Sequence, residues 1–105
     1  IGHASIETLA AALQNVDCVI TCLMPNLWTA RAREFFLTND QGIKDLLQAC
    51  VIAGVRRLVH TSSIAVTSHL HPSDEAAEDD KLPELSTYTS PYDISKRLGE
   101  AAVLA

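Results

Sequence analysis

Apolar and polar residues alternate along the chain with a period that changes from one segment to the next. Between positions 6 and 13 the apolar residues recur every three or four residues, which predicts a helix that is capped by Ser5 and ends near Asn15. The segment 18–23 is instead a short apolar run with β-branched residues, and it is followed by Pro25. This pattern predicts a strand buried on both faces, the kind found in parallel sheets.

A second helix and a second strand follow. No proline interrupts positions 29–53, where apolar residues recur at spacings of three, four and seven. We therefore expect one long helix, bent or broken near Asn39 and Asp40. Gly54 is placed to end this helix as its C-cap. Residues 57–61 then predict a second short strand.

The remaining residues predict a long loop and a final helix. Positions 62–90 contain two of the prolines, many serines and threonines, and a cluster of carboxylates, which is typical of a loop. Pro91 follows Ser90 as the first residue of the last helix. We expect the acidic cluster to be a solvated face, and His69 and His71 to be exposed loop residues, because a third metal ligand at a suitable spacing is lacking. Helices and strands alternate, which predicts an α/β fold around a parallel sheet.

Composition narrows the function classes. The formal net charge of the 105-residue chain is −5 and its basic residues are scattered in pairs, so we expect no nucleic-acid partner. No run reaches the roughly 18 apolar residues of a membrane span. The chain begins without Met or a signal peptide, and we expect it to be part of a longer protein.

Three further residue types carry expectations about burial. Cys18, Cys22 and Cys50 are an odd number of cysteines in apolar segments, which predicts buried free thiols and a reducing, cytoplasmic location. Trp28 is expected to be a core or interface anchor. His60 lies within the second predicted strand, where we expect it to be packed or hydrogen-bonded.

Tyr92 and Lys96 are separated by four positions on the last predicted helix. This spacing brings their β-carbons to about 5–6 Å on one helix face. A free phenol loses its proton near pH ~10, and a neighbouring ammonium favours the phenolate. The two side chains could therefore serve together as a general acid or base. Tyr and Lys at this spacing also occur on many ordinary helices, so the spacing alone is weak evidence.

Hydroxyl side chains follow the second predicted strand. Thr61, Ser62 and Ser63 come at its carboxyl end, the edge at which open α/β sheets bind ligands. A hydroxyl there can hold a substrate oxygen by a hydrogen bond while another group moves the proton. The alternative is a Ser/Thr cluster that ends the strand or starts a turn.

Two stretches together carry a family resemblance. The first runs from Ala53 to Val66 and includes the strand that ends in Thr-Ser-Ser; the second runs from Ser90 to Ala105 and contains Ser-Pro-Tyr-x-x-x-Lys. Both resemble extended short-chain dehydrogenases/reductases, and most of all the 3-beta-hydroxysteroid dehydrogenase/isomerase family. The resemblance implies an α/β fragment of a Rossmann-type parallel sheet with flanking helices. Residues 1–105 would form the central part of an NAD(P)-binding Rossmann-fold domain, with a glycine-rich unit before them and a substrate region after them.

The resemblance also implies roles for individual residues. Tyr92 would be the catalytic acid or base, and Lys96 would assist its ionisation and hold the nicotinamide ribose, so that both would contact the NAD or NADP cofactor. Ser63 would orient the substrate hydroxyl or carbonyl, with Ser62 as the second candidate. Asn39 matches an asparagine of the family that has a structural or proton-relay role. No metal is implied.

The implied activity is the interconversion of a secondary alcohol and a ketone on a small-molecule substrate, with a steroid or sterol 3-beta-hydroxyl as the favoured type. Two alternatives remain: an NAD-dependent sugar-nucleotide epimerase or dehydratase, and a non-catalytic NAD(P)-binding regulatory relative. A homodimer through the two long helices is a further expectation from the resemblance. The 105 residues alone are expected to be inactive.

Overall fold

The computed structural model describes residues 4–67 and 81–105, and its elements follow the predicted order. The helices and strands are α1 (Ile6–Ala12), β1 (Cys18–Thr21), α2 (Ala32–Phe36), α3 (Gly42–Ala53), β2 (Arg57–His60) and α4 (Pro91–Leu104). A π-helical turn, Leu37–Gln41, joins α2 to α3, and 3-10 turns occupy Ile64–Val66 and Leu85–Thr87. The predicted acidic cluster, His69 and His71 lie outside the described residues.

The two strands pair in parallel, which confirms the predicted sheet type. Cys18 lies opposite Arg57, and Thr21 lies opposite His60. Burial alternates along both strands, with Thr21 almost completely buried while Ile20 is 70% exposed. The prediction that β1 is buried on both faces is therefore wrong for the described part of the chain, whose helices cover one face of the sheet only.

The core lies where the helices meet. Helix α1 packs against α3, and α4 packs against both α3 and the π-helical turn. The most deeply buried apolar residues of this layer are Ala49, Ile43, Leu46 and Ala10. Small side chains at Ala10 and Ala49 let the helix backbones approach closely, and the larger residues between them exclude water.

Local capping chemistry sets the ends of the helices. The Ser5 Oγ accepts a hydrogen bond of 3.2 Å from the backbone N–H of Thr8, as expected for an N-cap. Helix α1 ends at Ala12, earlier than predicted, and Asn15 adopts a φ of 62° in the turn that follows. Asparagine tolerates this left-handed conformation better than most residues. Gly54, with a φ of 74°, ends α3 as predicted.

The long helix contains a π-helical turn at its predicted bend. Helical structure begins at Ala32 rather than at position 29, and Leu37–Gln41 form the wider turn around Asn39 and Asp40. A π-turn inserts one residue into the helical repeat and changes the faces of the residues around it. In this protein Asn39 is buried, and the turn that contains it packs against α4.

The exposure of β1 and of the segment after it shows that the predicted burial of Cys18 and Cys22 is wrong for the described part of the chain. Cys18 and Cys22 are exposed, because Cys18 lies on the face of the sheet that the described helices leave uncovered and Cys22 follows the strand; Cys50 is buried in α3 as predicted, and all three thiols are free. Trp28, in the connection between β1 and α2, is 94% exposed, which excludes the core alternative of its prediction; the interface alternative stays a prediction. Within the described ranges, no helix is both long enough and apolar enough to cross a bilayer.

Candidate active site

The first turn of α4 is organised by its cap. The Ser90 Oγ accepts a hydrogen bond of 3.2 Å from the backbone N–H of Tyr92, and Pro91 supplies a first helical residue that needs no partner for an N–H. Tyr92 and Lys96 therefore lie one turn apart at the amino-terminal end of α4. This confirms the helical context that their spacing predicted.

Lys96 joins α4 to the end of β2. Its side chain is buried, and its Nζ donates a hydrogen bond of 3.1 Å to the carbonyl oxygen of Thr61. Burial lowers the pKa of this ammonium because the charged form loses its hydration. An ammonium has three donors, and the described residues supply this one acceptor, so two donors remain for a ligand. A pair of ribose hydroxyls fits that donor set.

The Tyr92 ring packs against a neighbouring aromatic ring. It is half-buried and packs edge-on against Phe35, with ring centroids 5.8 Å apart and an interplanar angle of 75°. This T-shaped arrangement is favourable for aromatic pairs and restricts the orientation of the phenol. Among the described residues the Tyr92 hydroxyl forms no hydrogen bond with Ser63 or Lys96, and its acid/base role stays a prediction.

Ser63 begins the first 3-10 turn. Its backbone is extended, and its Oγ accepts a hydrogen bond of 3.2 Å from the backbone N–H of Ala65. Ser63 therefore starts a turn, which was the alternative interpretation of the Ser/Thr cluster. Ser63 also lines a cavity of about 600 Å³, whose wall, among the described residues, includes neither Tyr92 nor Lys96. The cavity is lined by Ser62, Ser63, Ile64, Thr67, Leu82, Glu100 and Leu104.

Ser62 has a different partner from Ser63. Its hydroxyl donates a hydrogen bond to the Glu100 carboxylate, one turn beyond Lys96 on α4. The sequence analysis did not single out Glu100. Its position four residues after Lys96, on the same helix face, was the signal that could have identified it.

Asn39 and Ser95 brace the same end of α4. Asn39 is 2% exposed, and its Nδ2 donates a hydrogen bond of 3.1 Å to the Ser95 Oγ. The Ser95 hydroxyl in turn donates a hydrogen bond of 2.7 Å to the carbonyl of Tyr92. The resemblance implied either a structural or a proton-relay role for Asn39, and these contacts correspond to the structural role.

His60 is hydrogen-bonded across the sheet, as predicted. Its Nδ1 and the Thr21 Oγ1 are 2.7 Å apart. Burial lowers the pKa of His60, the positive charge of Lys96 lowers it further, and the carboxylate of Glu100 opposes both effects. The Nε2 atom is buried without a partner among the described residues. The neutral imidazole is the form that suits this environment.

Comparisons with known proteins agree with this architecture. The model of the 3-beta hydroxysteroid dehydrogenase/isomerase family matches residues 4–105. The chain is 39% identical over 101 residues to 3 beta-hydroxysteroid dehydrogenase type 7 from Homo sapiens, covering 91% of the chain and 27% of that protein. It is 32% identical over 100 residues to the decarboxylating sterol-4-alpha-carboxylate 3-dehydrogenase from Bos taurus, covering 95% of the chain and 28% of that protein.

A solved structure has the same fold. It is a short-chain dehydrogenase/reductase superfamily protein from Agrobacterium tumefaciens with bound NAD, 31% identical in sequence, with a TM-score of 0.74 over 95% of this chain and 31% of that one. The α/β fold is thus of the predicted Rossmann type, with a parallel sheet and flanking helices. The chain spans between a quarter and a third of the length of these relatives. Sequence match and fold together lead to one conclusion: the chain belongs to the 3-beta hydroxysteroid dehydrogenase/isomerase family.

Proposed function

We propose that the full-length protein containing this chain uses NAD or NADP to interconvert a secondary alcohol and a ketone. One observation carries the proposal. The buried ammonium of Lys96 lies at the Thr61 carbonyl, so that α4 is docked at the carboxyl end of β2, directly before Ser62 and Ser63. Open α/β sheets bind their ligands at this edge.

The proposed chemistry divides between the chain and the cofactor. In the oxidation direction the Tyr92 phenolate takes the proton of the substrate hydroxyl, and the C–H bond gives up a hydride as the C=O bond forms. The nicotinamide, when bound, supplies the hydride acceptor. Lys96 offers its two remaining donors to the ribose. Ser63 holds the substrate oxygen by a hydrogen bond, and this contact orients the carbon that reacts.

For the substrate we propose a sterol or steroid with a 3-beta-hydroxyl. The names of the human and bovine relatives describe a steroid and a sterol dehydrogenase. The cavity beside Ser63 has a mixed wall, in which the apolar side chains of Ile64, Leu82 and Leu104 accompany four polar residues.

The experiment compares wild type with Tyr92→Phe in the full-length protein, with NADH or NADPH formation followed by absorbance. Wild type should turn over a 3-beta-hydroxysterol. Tyr92→Phe should lose roughly 10²- to 10⁴-fold in kcat, the usual contribution of acid–base catalysis, and should still bind the cofactor. Turnover of a nucleotide sugar instead would favour the epimerase or dehydratase alternative. Cofactor binding without any turnover would favour the regulatory one.

Tyr88→Phe is the matched control, because Tyr88 is the other tyrosine of the chain. Its hydroxyl donates a hydrogen bond of 2.6 Å to the carbonyl of Val66, and its loss should cost about 1 kcal/mol of stability. Turnover should fall far less than in Tyr92→Phe. Equal losses of turnover in the two variants would contradict the acid/base assignment.

A further inference from the structure

We propose that Glu100 is a positioning residue for Ser63. It accepts a hydrogen bond from the Ser62 hydroxyl and thereby holds the segment that presents Ser63 to the cavity. The proposal rests on the proposed function, since it assumes that Ser63 holds the substrate oxygen.

Two residues of α4 bind two consecutive residues of the strand end. Lys96 binds the carbonyl of Thr61 at 3.1 Å, and Glu100, one helical turn later, accepts the Ser62 hydroxyl. Residues four apart on a helix project from the same face, and one turn advances the helix by about 5.4 Å. The two contacts therefore fix both the position and the direction of the chain just before Ser63.

The hydrogen bond between Ser62 and Glu100 involves a charged acceptor. A hydroxyl that donates to a carboxylate forms a charge-assisted bond, about twice as strong as one between neutral groups. The pair is part-buried.

The Ser62–Glu100 bond adds to the packing of the 3-10 turn Ile64–Val66 against α4. Within residues 4–67 and 81–105, the Ser63 Oγ accepts the backbone N–H of Ala65, two residues ahead, and this contact is local to the turn. It does not fix where the turn lies relative to α4. The Ser62–Glu100 bond links the turn to the helix that carries Tyr92. A displacement of a reacting group by about 1 Å can cost roughly 100-fold in rate.

The test measures kcat, KM and thermal unfolding in the full-length protein for Glu100→Ala, Glu100→Gln and Ser62→Ala. We expect Glu100→Ala to lower kcat by roughly 10- to 100-fold, with the KM for the cofactor unchanged. Glu100→Gln keeps an oxygen acceptor for Ser62 and should recover most of the loss. Glu84→Ala removes an exposed carboxylate that forms no side-chain cap, and serves as the control.

The double variant Ser62→Ala/Glu100→Ala separates positioning from direct contact. If Ser62 acts through Glu100, the double variant should be no slower than either single variant, because both changes remove one bond. A further loss of rate in the double variant would mean that Ser62 itself contacts the substrate, and it would overturn the proposal. Unchanged kcat in Glu100→Ala, or no recovery in Glu100→Gln, would also overturn it.

The failure of this proposal is distinguishable from the failure of the proposed function. No alcohol turnover by wild type, or full turnover by Tyr92→Phe, would overturn the proposed function and the role of Glu100 with it. Normal wild-type turnover, an inactive Tyr92→Phe and a fully active Glu100→Ala would overturn the role of Glu100 alone.

Discussion

The α-carbon of Gly99 faces the backbone of Asn39 so closely that a β-carbon at position 99 would lie 2.1 Å from the Asn39 carbonyl oxygen. Helix α4 and the π-helical turn thus meet backbone to backbone. The hydrogen bond from the Asn39 Nδ2 to the Ser95 Oγ lies one turn away along the same contact. Together the two contacts set the distance between the long helix and the helix that carries Tyr92 and Lys96.

Replacing Gly99 by alanine tests this close approach. Helix propensity alone would stabilise the variant by about 1 kcal/mol, because glycine is a poor helix former. The steric conflict with a backbone atom should instead destabilise it by about 1–3 kcal/mol. Chemical denaturation, monitored by circular dichroism, gives the sign of the change in the free energy of unfolding. An increase in the free energy of unfolding would contradict the observed packing.

Gly54→Ala is the control for this prediction. No atom lies within 4 Å of a β-carbon built at position 54, but the φ of 74° is left-handed. Alanine there should cost about 1–2 kcal/mol through backbone conformation alone. Only Gly99→Ala should also disturb the environment of Tyr92, which near-ultraviolet circular dichroism or tyrosine fluorescence would report.

Lys96→Met should separate stability from activity. Burial lowers the pKa of Lys96, which means that the fold disfavours its charge relative to the unfolded chain. Met fills a similar volume without a charge but leaves the Thr61 carbonyl without this donor, so the free energy of unfolding should stay within about 1 kcal/mol of wild type. Turnover should be lost. The measurement is denaturant unfolding beside steady-state kinetics.

Lys44→Met is the matched control for Lys96→Met. Lys44 is exposed and pairs with Asp40 at 2.6 Å across one helical turn. Its loss should cost no more than about 0.5 kcal/mol and leave turnover intact. A destabilisation of Lys96→Met well beyond that of the control would show that the ammonium is a structural requirement of the fold.

His60 should make stability depend on pH. Burial lowers its pKa in the folded state below the ordinary value of about 6.5. Between these two pKa values the unfolded chain binds more protons, so the free energy of unfolding increases with pH there. The contribution is fully present above about pH 6.5 and is lost as the pH falls through the folded pKa. Glu100 weakens the effect and Lys96 strengthens it.

The measurement compares wild type with His60→Gln. Both proteins are unfolded by denaturant at several pH values between about 5 and 7.5, the range in which histidine changes its charge. The difference in free energy between them isolates His60, since other titrating groups are common to both. Wild type should lose stability relative to the variant as the pH falls. A constant difference would contradict the prediction.

The cysteines should react in two classes. Cys18 and Cys22 are exposed, whereas Cys50 is buried and burial raises the pKa of its thiol. The thiolate is the reactive form, so Cys50 should resist a disulfide reagent until the protein unfolds. Titration of the folded 105-residue chain should modify Cys18 and Cys22 and spare Cys50. Cys50→Ala should leave the native reaction unchanged, and rapid labelling of Cys50 would contradict its burial.

Capping and helical spacing were determined by the sequence alone. Ser5, Gly54 and Ser90 each end or begin a helix by contacts within a few residues, and such contacts depend only on nearby side chains and backbone angles. The same locality placed Tyr92 and Lys96 on one helix face. The bend near Asn39 was also predicted, although its π-helical form was not.

The tertiary structure decided what is paired and what is covered. Ser62 and Glu100 are 38 positions apart, and Asn39 and Ser95 are 56 apart, so neither bond leaves a local pattern. The exposure of Cys18 and Trp28 could not be predicted either, because the sequence of an apolar residue's neighbours does not show which face of a strand or connection will be covered. Burial depends on which elements pack against a surface, and the position of α4 against the end of β2 is set by contacts that only the folded chain forms.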